Sequence, residues 1–165
     1  MTLIFKLIFP LFIMVFASCY NFKGISLPVN IDTFYVEDFS LLSAEAPPDL
    51  NQLFAEGLRK KIREESRLTY SNDDANITFK GTVNKYKISY IAPEEGNTTS
   101  LNRLEISVKI EYQNNLNEDD SWTKTYSDFE DYDSTEDFQS IKDGLINVIL
   151  DDMLERIFND AFTNW

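Results

Sequence analysis

A run of alternating apolar residues in the second half of the chain constrains the fold most strongly. Leu104, Ile106, Val108, Ile110 and Tyr112 occupy every second position, and the residues between them are polar or charged. Because successive side chains of a strand point to opposite faces, this pattern indicates a β-strand with one buried and one hydrated face. Such a strand needs neighbouring strands and an apolar layer over its buried face, which the rest of the chain must supply.

Three further segments predict strands. Residues 75–90 alternate in two phases: Ile77, Phe79 and Val83 share the first phase, and Tyr86, Ile88 and Tyr90 share the second. A change of phase inside one strand predicts a β-bulge or bend within Gly81–Lys85. Ile31–Phe39 is rich in β-branched and aromatic residues, and Trp122–Tyr132 is a more aromatic and more polar strand candidate.

Two segments have the spacing of helices that bury one side. Asp49 is a good N-cap for a first helix ending near Ser66, and Gly57 is expected to allow a close approach of this helix to the sheet. Ser134 is expected to cap a second helix, with Asp137 at its third position, that runs almost to the end of the sequence. The apolar positions are Leu50, Leu53, Phe54, Leu58 and Ile62 in the first helix, and Phe138, Ile141, Leu145, Val148, Ile149, Met153, Ile157, Phe158 and Phe162 in the second.

The order of these elements is strand, helix, three strands and helix. Runs of strands with separate helices are typical of α+β folds. We therefore predict a two-layer sandwich, in which one mixed or antiparallel sheet of about four strands carries both helices on one face. Residues 31–165 are expected to form it as a single domain.

Residues 1–18 are interpreted as a targeting signal and not as part of the folded domain. Within residues 1–18, the run Leu7–Phe16 is almost wholly apolar but shorter than the ~20 residues that span a bilayer, as in a signal peptide. The string Phe16–Cys19 resembles a bacterial lipobox, which implies cleavage before Cys19, acylation of that cysteine and a lipidated tether over residues 19–30. Acyl chains would hold the protein on a membrane. An ordinary secretory signal and an uncleaved anchor helix are the alternatives.

The composition excludes several classes of chemistry. With no histidine and one cysteine, the chain cannot form a Ser-His-Asp or Cys-His triad, a His-based or Cys-rich metal site, or an intrachain disulfide. The net charge of −13 argues against general nucleic-acid binding. The acidic stretches 117–120 and 128–133 lack the frame of a calcium-binding EF-hand loop, and no glycine-rich phosphate loop is present. We therefore predict a non-enzymatic protein with no catalytic residue, metal site or cofactor.

The first helix carries a local exception to this acidic balance. Arg59, Lys60 and Arg63 lie on its polar side and are candidates for charge-assisted hydrogen bonds to lipid phosphates. The alternative is a solvated helix face with Glu64 and Glu65 as partners. Elsewhere, 13 Phe, 8 Tyr and 2 Trp exceed what a small core requires, so some aromatic side chains are expected on a protein-binding surface.

Several strings, taken together in their order and spacing, resemble the Bacteroidetes-type LptE family of lipoproteins. They are Tyr20-Asn21-Phe22-Lys23-Gly24, Leu101-Asn102-Arg103-Leu104, Asp131-Tyr132-Asp133-Ser134 and the ending Ile157-Phe158-Asn159-Asp160-Ala161 to Asn164-Trp165. The resemblance implies an α+β sandwich in a lipoprotein of the Gram-negative outer membrane, facing the periplasm. It also implies a plug inside the β-barrel LptD that helps to assemble this barrel and to deliver lipopolysaccharide to the cell surface.

Two residues at element ends are candidates for the contact with such a barrel. They are Arg103, where a strand begins, and Tyr132, at the turn into the last helix, because arginine and aromatic residues dominate interface energies. The alternative is that Arg103 pairs with a nearby acid and Tyr132 packs under the helix. Lipopolysaccharide itself is a further candidate ligand. A different function class remains open, namely a periplasm-facing binding module such as an activator of a cell-wall synthase.

Overall fold

The computed structural model describes residues 28, 30–92 and 100–163. The predicted signal peptide, Cys19 and nearly all of the predicted tether lie outside these residues. The strands are β1 (Thr33–Val36), β2 (Ser40–Leu41), β3 (Thr69–Tyr70), β4 (Ile77–Ile91), β5 (Leu101–Asn114) and β6 (Trp122–Asp133), and the helices are α1 (Leu50–Glu65) and α2 (Phe138–Phe162). A short 3-10 turn at Glu118–Asp120 connects β5 to β6.

The strands form one mixed sheet in the order β3-β1-β4-β5-β6. Strands β4, β5 and β6 are antiparallel, whereas β1 is parallel to both β3 and β4. Strand β2 continues alongside β4, also in parallel, with Ser40 opposite Thr82. The predicted α+β class and the two-layer arrangement are confirmed. The sheet has six strands and not about four, because β2 and β3 have only two residues each and cannot show an alternating pattern.

The predicted bulge in β4 is present. The register of β4 against β5 shifts between Val83 and Lys85, so that Asn84 is the extra residue. Phe79 and Val83 before the bulge and Tyr86 after it are all buried under the helix layer. The bulge therefore keeps the apolar side chains of β4 on the core side, although the apolar positions change from odd to even residue numbers, as the sequence indicates.

Both helices pack on the same face of the sheet, with α1 over β1 and β4 and α2 over β5 and β6. At Gly57, a Cβ atom would lie 2.7 Å from Leu154 Cδ1 and 3.2 Å from Leu150 Cδ2. The close approach that this glycine permits is therefore between the two helices. The expectation that Gly57 brings α1 close to the sheet was wrong, because the glycine faces sideways towards α2.

Two boundaries differ from the predictions. The helix α2 has its N-cap at Asp137 and not at Ser134, since a turn precedes it in which the Asp133 carboxylate accepts hydrogen bonds from the amide and hydroxyl of Thr135 (2.8 and 2.7 Å). The predicted strand Ile31–Phe39 is shorter, because the chain leaves the ladder after Val36 and Phe39 turns inwards. The ring of Phe39 packs directly on Gly81, where no larger residue would leave room for it.

Candidate functional site

The sheet face opposite the helices is not covered by any element in the described part of the chain, and we call it the open face. Residues that are directly opposite in antiparallel strands share a face, so the register assigns its members. From β4, β5 and β6 these include Lys80, Lys85, Lys87, Arg103, Glu105, Lys109, Glu111, Phe129 and Asp131. Five of the 15 basic residues of the chain are among them. In a protein with a net charge of −13, the open face is thus close to charge balance.

Arg103 is held rigidly on the open face. Its Nε and Nη2 donate to Asp131 Oδ1 and Oδ2 at 2.7 and 2.9 Å, and its guanidinium carbon lies 3.6 Å from the ring centroid of Phe129. The hydrogen bond from Arg103 lowers the pKa of the Asp131 carboxyl below its ordinary value. Phe129 is 45% exposed. This bidentate, stacked geometry presents a planar cation and an aromatic ring in one fixed arrangement that suits a protein contact.

Tyr132 lies on the other side of the sheet. It is buried under the start of α2, with its ring centroid 5.6 Å from that of Phe138, and burial raises the pKa of its hydroxyl. The structure therefore does not bring Arg103 and Tyr132 onto one surface. Within this chain, Arg103 pairs with an acid and Tyr132 packs under a helix. A contact of either residue with a partner stays a prediction, and the half-exposed guanidinium of Arg103 is the better placed of the two.

The three basic residues proposed for lipid phosphates are not equivalent. Arg59 donates to the carbonyl of Val36 (2.9 Å), to Asp38 (2.8 Å) and to Glu56 (2.9 Å). Burial lowers the pKa of Arg59, but the hydrogen bond to Asp38 and the charge of Glu56 outweigh it, so the pKa lies above its ordinary value. The guanidinium thus ties α1 to the end of β1.

Lys60 and Arg63 are exposed on the outer side of α1. They line a shallow groove between α1 and α2 together with the acidic residues Glu56, Glu64, Glu65, Asp151, Asp152 and Glu155. The carboxylates there oppose the approach of a phosphate group. A lipid-phosphate contact of Lys60 and Arg63 stays a prediction.

One feature that sequence reasoning missed is an uncovered edge of β4. Strands β1 and β2 pair with β4 only as far as Val83, whose carbonyl accepts a hydrogen bond from the Leu42 amide at 2.9 Å. From Lys85 to Ile91, β4 pairs with β5 on one side and with no described strand on the other. We call residues 85–91 the free edge. The alternating pattern predicts a strand there but does not reveal which neighbours it has.

The described residues contain neither a candidate metal site nor a helix that could cross a membrane. No group of three or more cysteine, aspartate or glutamate side chains in residues 30–92 and 100–163 is arranged to hold a metal ion. Neither α1 nor α2 is long and apolar enough to cross a membrane.

Comparison with protein families places the chain in a known group. The model of the lipopolysaccharide-assembly family LptE matches residues 31–161. The chain belongs to the LptE family. The resemblance drawn from the four sequence strings is thereby confirmed, and the matched region contains every strand and all but the last residue of α2.

Several solved structures share the fold of this chain. A minor lipoprotein from Acinetobacter baumannii has a TM-score of 0.53 at 14% identity, covering 79% of this chain and 94% of the other. A neuraminyllactose-binding hemagglutinin homologue from Helicobacter pylori has a TM-score of 0.53 at 13% identity, covering 87% and 92%. PelC from Paraburkholderia phytofirmans has a TM-score of 0.51 at 12% identity, covering 81% and 88%. No curated protein sequence matches the chain.

Proposed function

We propose that this LptE-family protein is an outer-membrane lipoprotein, anchored by acylated Cys19 and facing the periplasm. In this role it is the plug and assembly partner of the β-barrel LptD, which delivers lipopolysaccharide to the cell surface. The observation that carries the proposal is the family match over residues 31–161. The family is one of lipopolysaccharide assembly and not of enzymes, in line with the composition.

The open face supports a role in protein contact. It is broad and uncovered, and Arg103 and Phe129 are locked together on it by Asp131. Binding energy in protein interfaces concentrates in a few arginine and aromatic anchors that are already ordered before binding. We expect this trio to contact the wall or a loop of the barrel.

Co-purification tests the proposal. The tagged full-length lipoprotein is extracted in detergent, and LptD recovery is measured for wild type, Arg103→Glu and Lys109→Glu. The control makes the same charge change on the same face, at a residue paired with Glu111 and not with the Phe129 cluster. We expect Arg103→Glu to lower LptD recovery at least tenfold and Lys109→Glu to leave it nearly unchanged, with normal melts for both.

Two outcomes contradict parts of the proposal. Recovery of a cell-wall synthase in place of LptD supports the alternative binding module. Recovery of LptD with a folded Arg103→Glu variant, at the wild-type level, places the contact elsewhere. Tyr132→Ala is informative about the partner only if its melt is normal, because the buried ring of Tyr132 also stabilises the start of α2.

The anchor is tested separately at Cys19. We expect Cys19→Ala to abolish palmitate labelling and membrane retention, while Cys19→Ser controls for the loss of the sulfur alone and gives the same result. Labelling that persists in either variant contradicts the lipobox interpretation.

A further inference from the structure

We infer that the free edge of β4, residues 85–91, binds an extended, acid-bearing segment of the barrel partner by adding it to the sheet as another strand. This inference rests on the proposed function, because the segment is assigned to LptD. It concerns a surface distinct from the Arg103 cluster, since the contact is made by backbone groups at the side of the sheet.

The hydrogen-bonding groups of the free edge follow from the ladder. In an antiparallel pair, successive residues direct their N–H and C=O groups alternately towards and away from the partner strand. The Phe79 carbonyl accepts a bond from Glu37, so Phe79, opposite Tyr112, directs its groups away from β5.

The same alternation continues after the bulge. Tyr86, Ile88 and Tyr90 lie opposite Ile106, Leu104 and Asn102, which are an even number of residues away from Tyr112 along β5. Their amides and carbonyls therefore point outwards, without a backbone partner among the described residues. These three amides and three carbonyls, spaced two residues apart, are the groups to which an added strand would form hydrogen bonds.

Two side chains on the helix side of the free edge are apolar and exposed. Ile88 is 42% and Tyr90 is 62% exposed, whereas Tyr86, next to the bulge, is buried. Ile88 and Tyr90 are two of the eight large hydrophobic side chains that are exposed in the described residues. An added strand with apolar residues at alternate positions would cover them.

The side chains on the open face give the edge its charge preference. Lys85 and Lys87 lie on this side, and the seven residues of the free edge include no acid. Lys85 Nζ lies 2.6 Å from Glu105 Oε1, and Glu105 is also the residue directly opposite Lys87 in the ladder. Side chains of an added strand would lie about 5 Å from these lysines. Carboxylates would be attracted there and a basic segment repelled.

Lysines on an edge also prevent pairing between copies of the same hydrophobic strand. The lysines can thus prevent self-association and also favour a partner, because they disfavour wholly apolar or basic strands and attract a strand that carries acids.

A closed barrel has no free edge among its own strands. The partner segment is therefore a loop, turn or terminal extension of LptD. The added segment can pair with up to seven residues, about 23 Å at ~3.3 Å per residue. It cannot extend further towards the start of β4, because β2 already pairs with Thr82 and Val83.

Proline substitution tests the backbone contact in the full-length lipoprotein. Ile88→Pro removes one outward amide, and an edge strand tolerates proline where the N–H does not join the ladder. Ile88→Val keeps the amide. Thr125→Pro is the matched control, because Thr125 is opposite Lys109 and directs its amide outwards from β6. We expect Ile88→Pro to lower LptD recovery at least tenfold, and the other two variants to retain it.

Two further measurements do not depend on the proline variant folding. A photo-crosslinking phenylalanine derivative at Tyr90 is expected to label an acid-bearing stretch of LptD, and Lys85→Glu with Lys87→Glu is expected to abolish both the crosslink and the recovery. A crosslink to a stretch without acids, or no crosslink in a recovered complex, overturns the inference. Folded Ile88→Pro with normal recovery also overturns it, even if the lysine variant fails, because only a charge contact then remains. If wild type recovers no LptD, the proposed function itself fails.

Discussion

The two halves of β4 have the same kind of sequence and different surroundings. Before the bulge, Ile77, Phe79 and Val83 are fully buried, and the strand has β5 on one side and β1 and β2 on the other. After it, Ile88 and Tyr90 alternate just as regularly but are 42% and 62% exposed, and among the described strands only β5 pairs with them. The first half therefore contributes to the core, and the second half presents the edge to which we infer that a partner strand binds.

The difference arises from the neighbours of β4. Strand β1 ends opposite Phe79 and β2 ends opposite Val83, where the Leu42 amide makes the final hydrogen bond to β4. Past this point α2 still covers β5 and β6, with Tyr132 packed against Phe138. An exposed edge with apolar side chains is a site where another strand can pair, which is consistent with the inferred binding role.

The same substitution in each half should give the largest contrast. We expect Ile77→Asp to destabilise the protein by about 4 kcal/mol, because it buries an unpaired carboxylate in the core. Ile88→Asp should cost less than about 1 kcal/mol, since this side chain already contacts water. Urea unfolding of both variants measures the contrast. Equal losses would show that the two halves of β4 are equally covered.

The glycine in the first half provides a second contrast. Gly81→Ala should destabilise the protein by about 1–3 kcal/mol, because the new methyl group overlaps the buried ring of Phe39. Gly144→Ala is the control, since a Cβ there meets no atom within 4 Å and helix propensity should add about 0.5–1 kcal/mol of stability. Thermal melts decide the signs. A neutral Gly81→Ala variant would mean that Phe39 does not pack there in solution.

The sequence predicts a large part of this fold for a simple physical reason. The alternation around Ile106 and the helical spacing after Asp49 both reflect burial of one side, which the core enforces. The phase change around Asn84 predicts the bulge on the same ground. The start of α2 was misplaced because the Asp133 turn competes locally with helix capping, and pattern alone does not show which hydrogen bond wins.

The candidate site is less accessible from the sequence. The sequence points to Arg103, but not to its ion pair with Asp131. That ion pair forms only because β6 lies beside β5 in the register that places Asp131 opposite Arg103. The free edge was missed, since alternation shows that Ile88 belongs to a strand and not that β2 stops before reaching it. Neighbours across a sheet are set by tertiary packing, which leaves little trace in local patterns.

A smaller effect is expected on the open face next to the free edge. Arg103→Gln should raise the pKa of the Asp131 carboxyl towards its ordinary value, measured by an NMR titration of that side chain. A depressed folded-state pKa contributes stability above the unfolded pKa, near 3.8, that is lost as pH falls through the folded value. Wild type should therefore lose more stability than Arg103→Gln below about pH 4. An unchanged Asp131 titration would contradict the ion pair.

Hydrogen exchange of the backbone amides of β4 tests the difference between its halves most directly. In the isolated lipoprotein, the outward amides of Tyr86, Ile88 and Tyr90 should exchange rapidly, whereas those of Lys87 and Ser89, which face β5, should be protected. In a verified complex with LptD, we expect the three outward amides to become protected as well. Rapid exchange of all three in that complex would contradict the binding of a partner strand at the free edge.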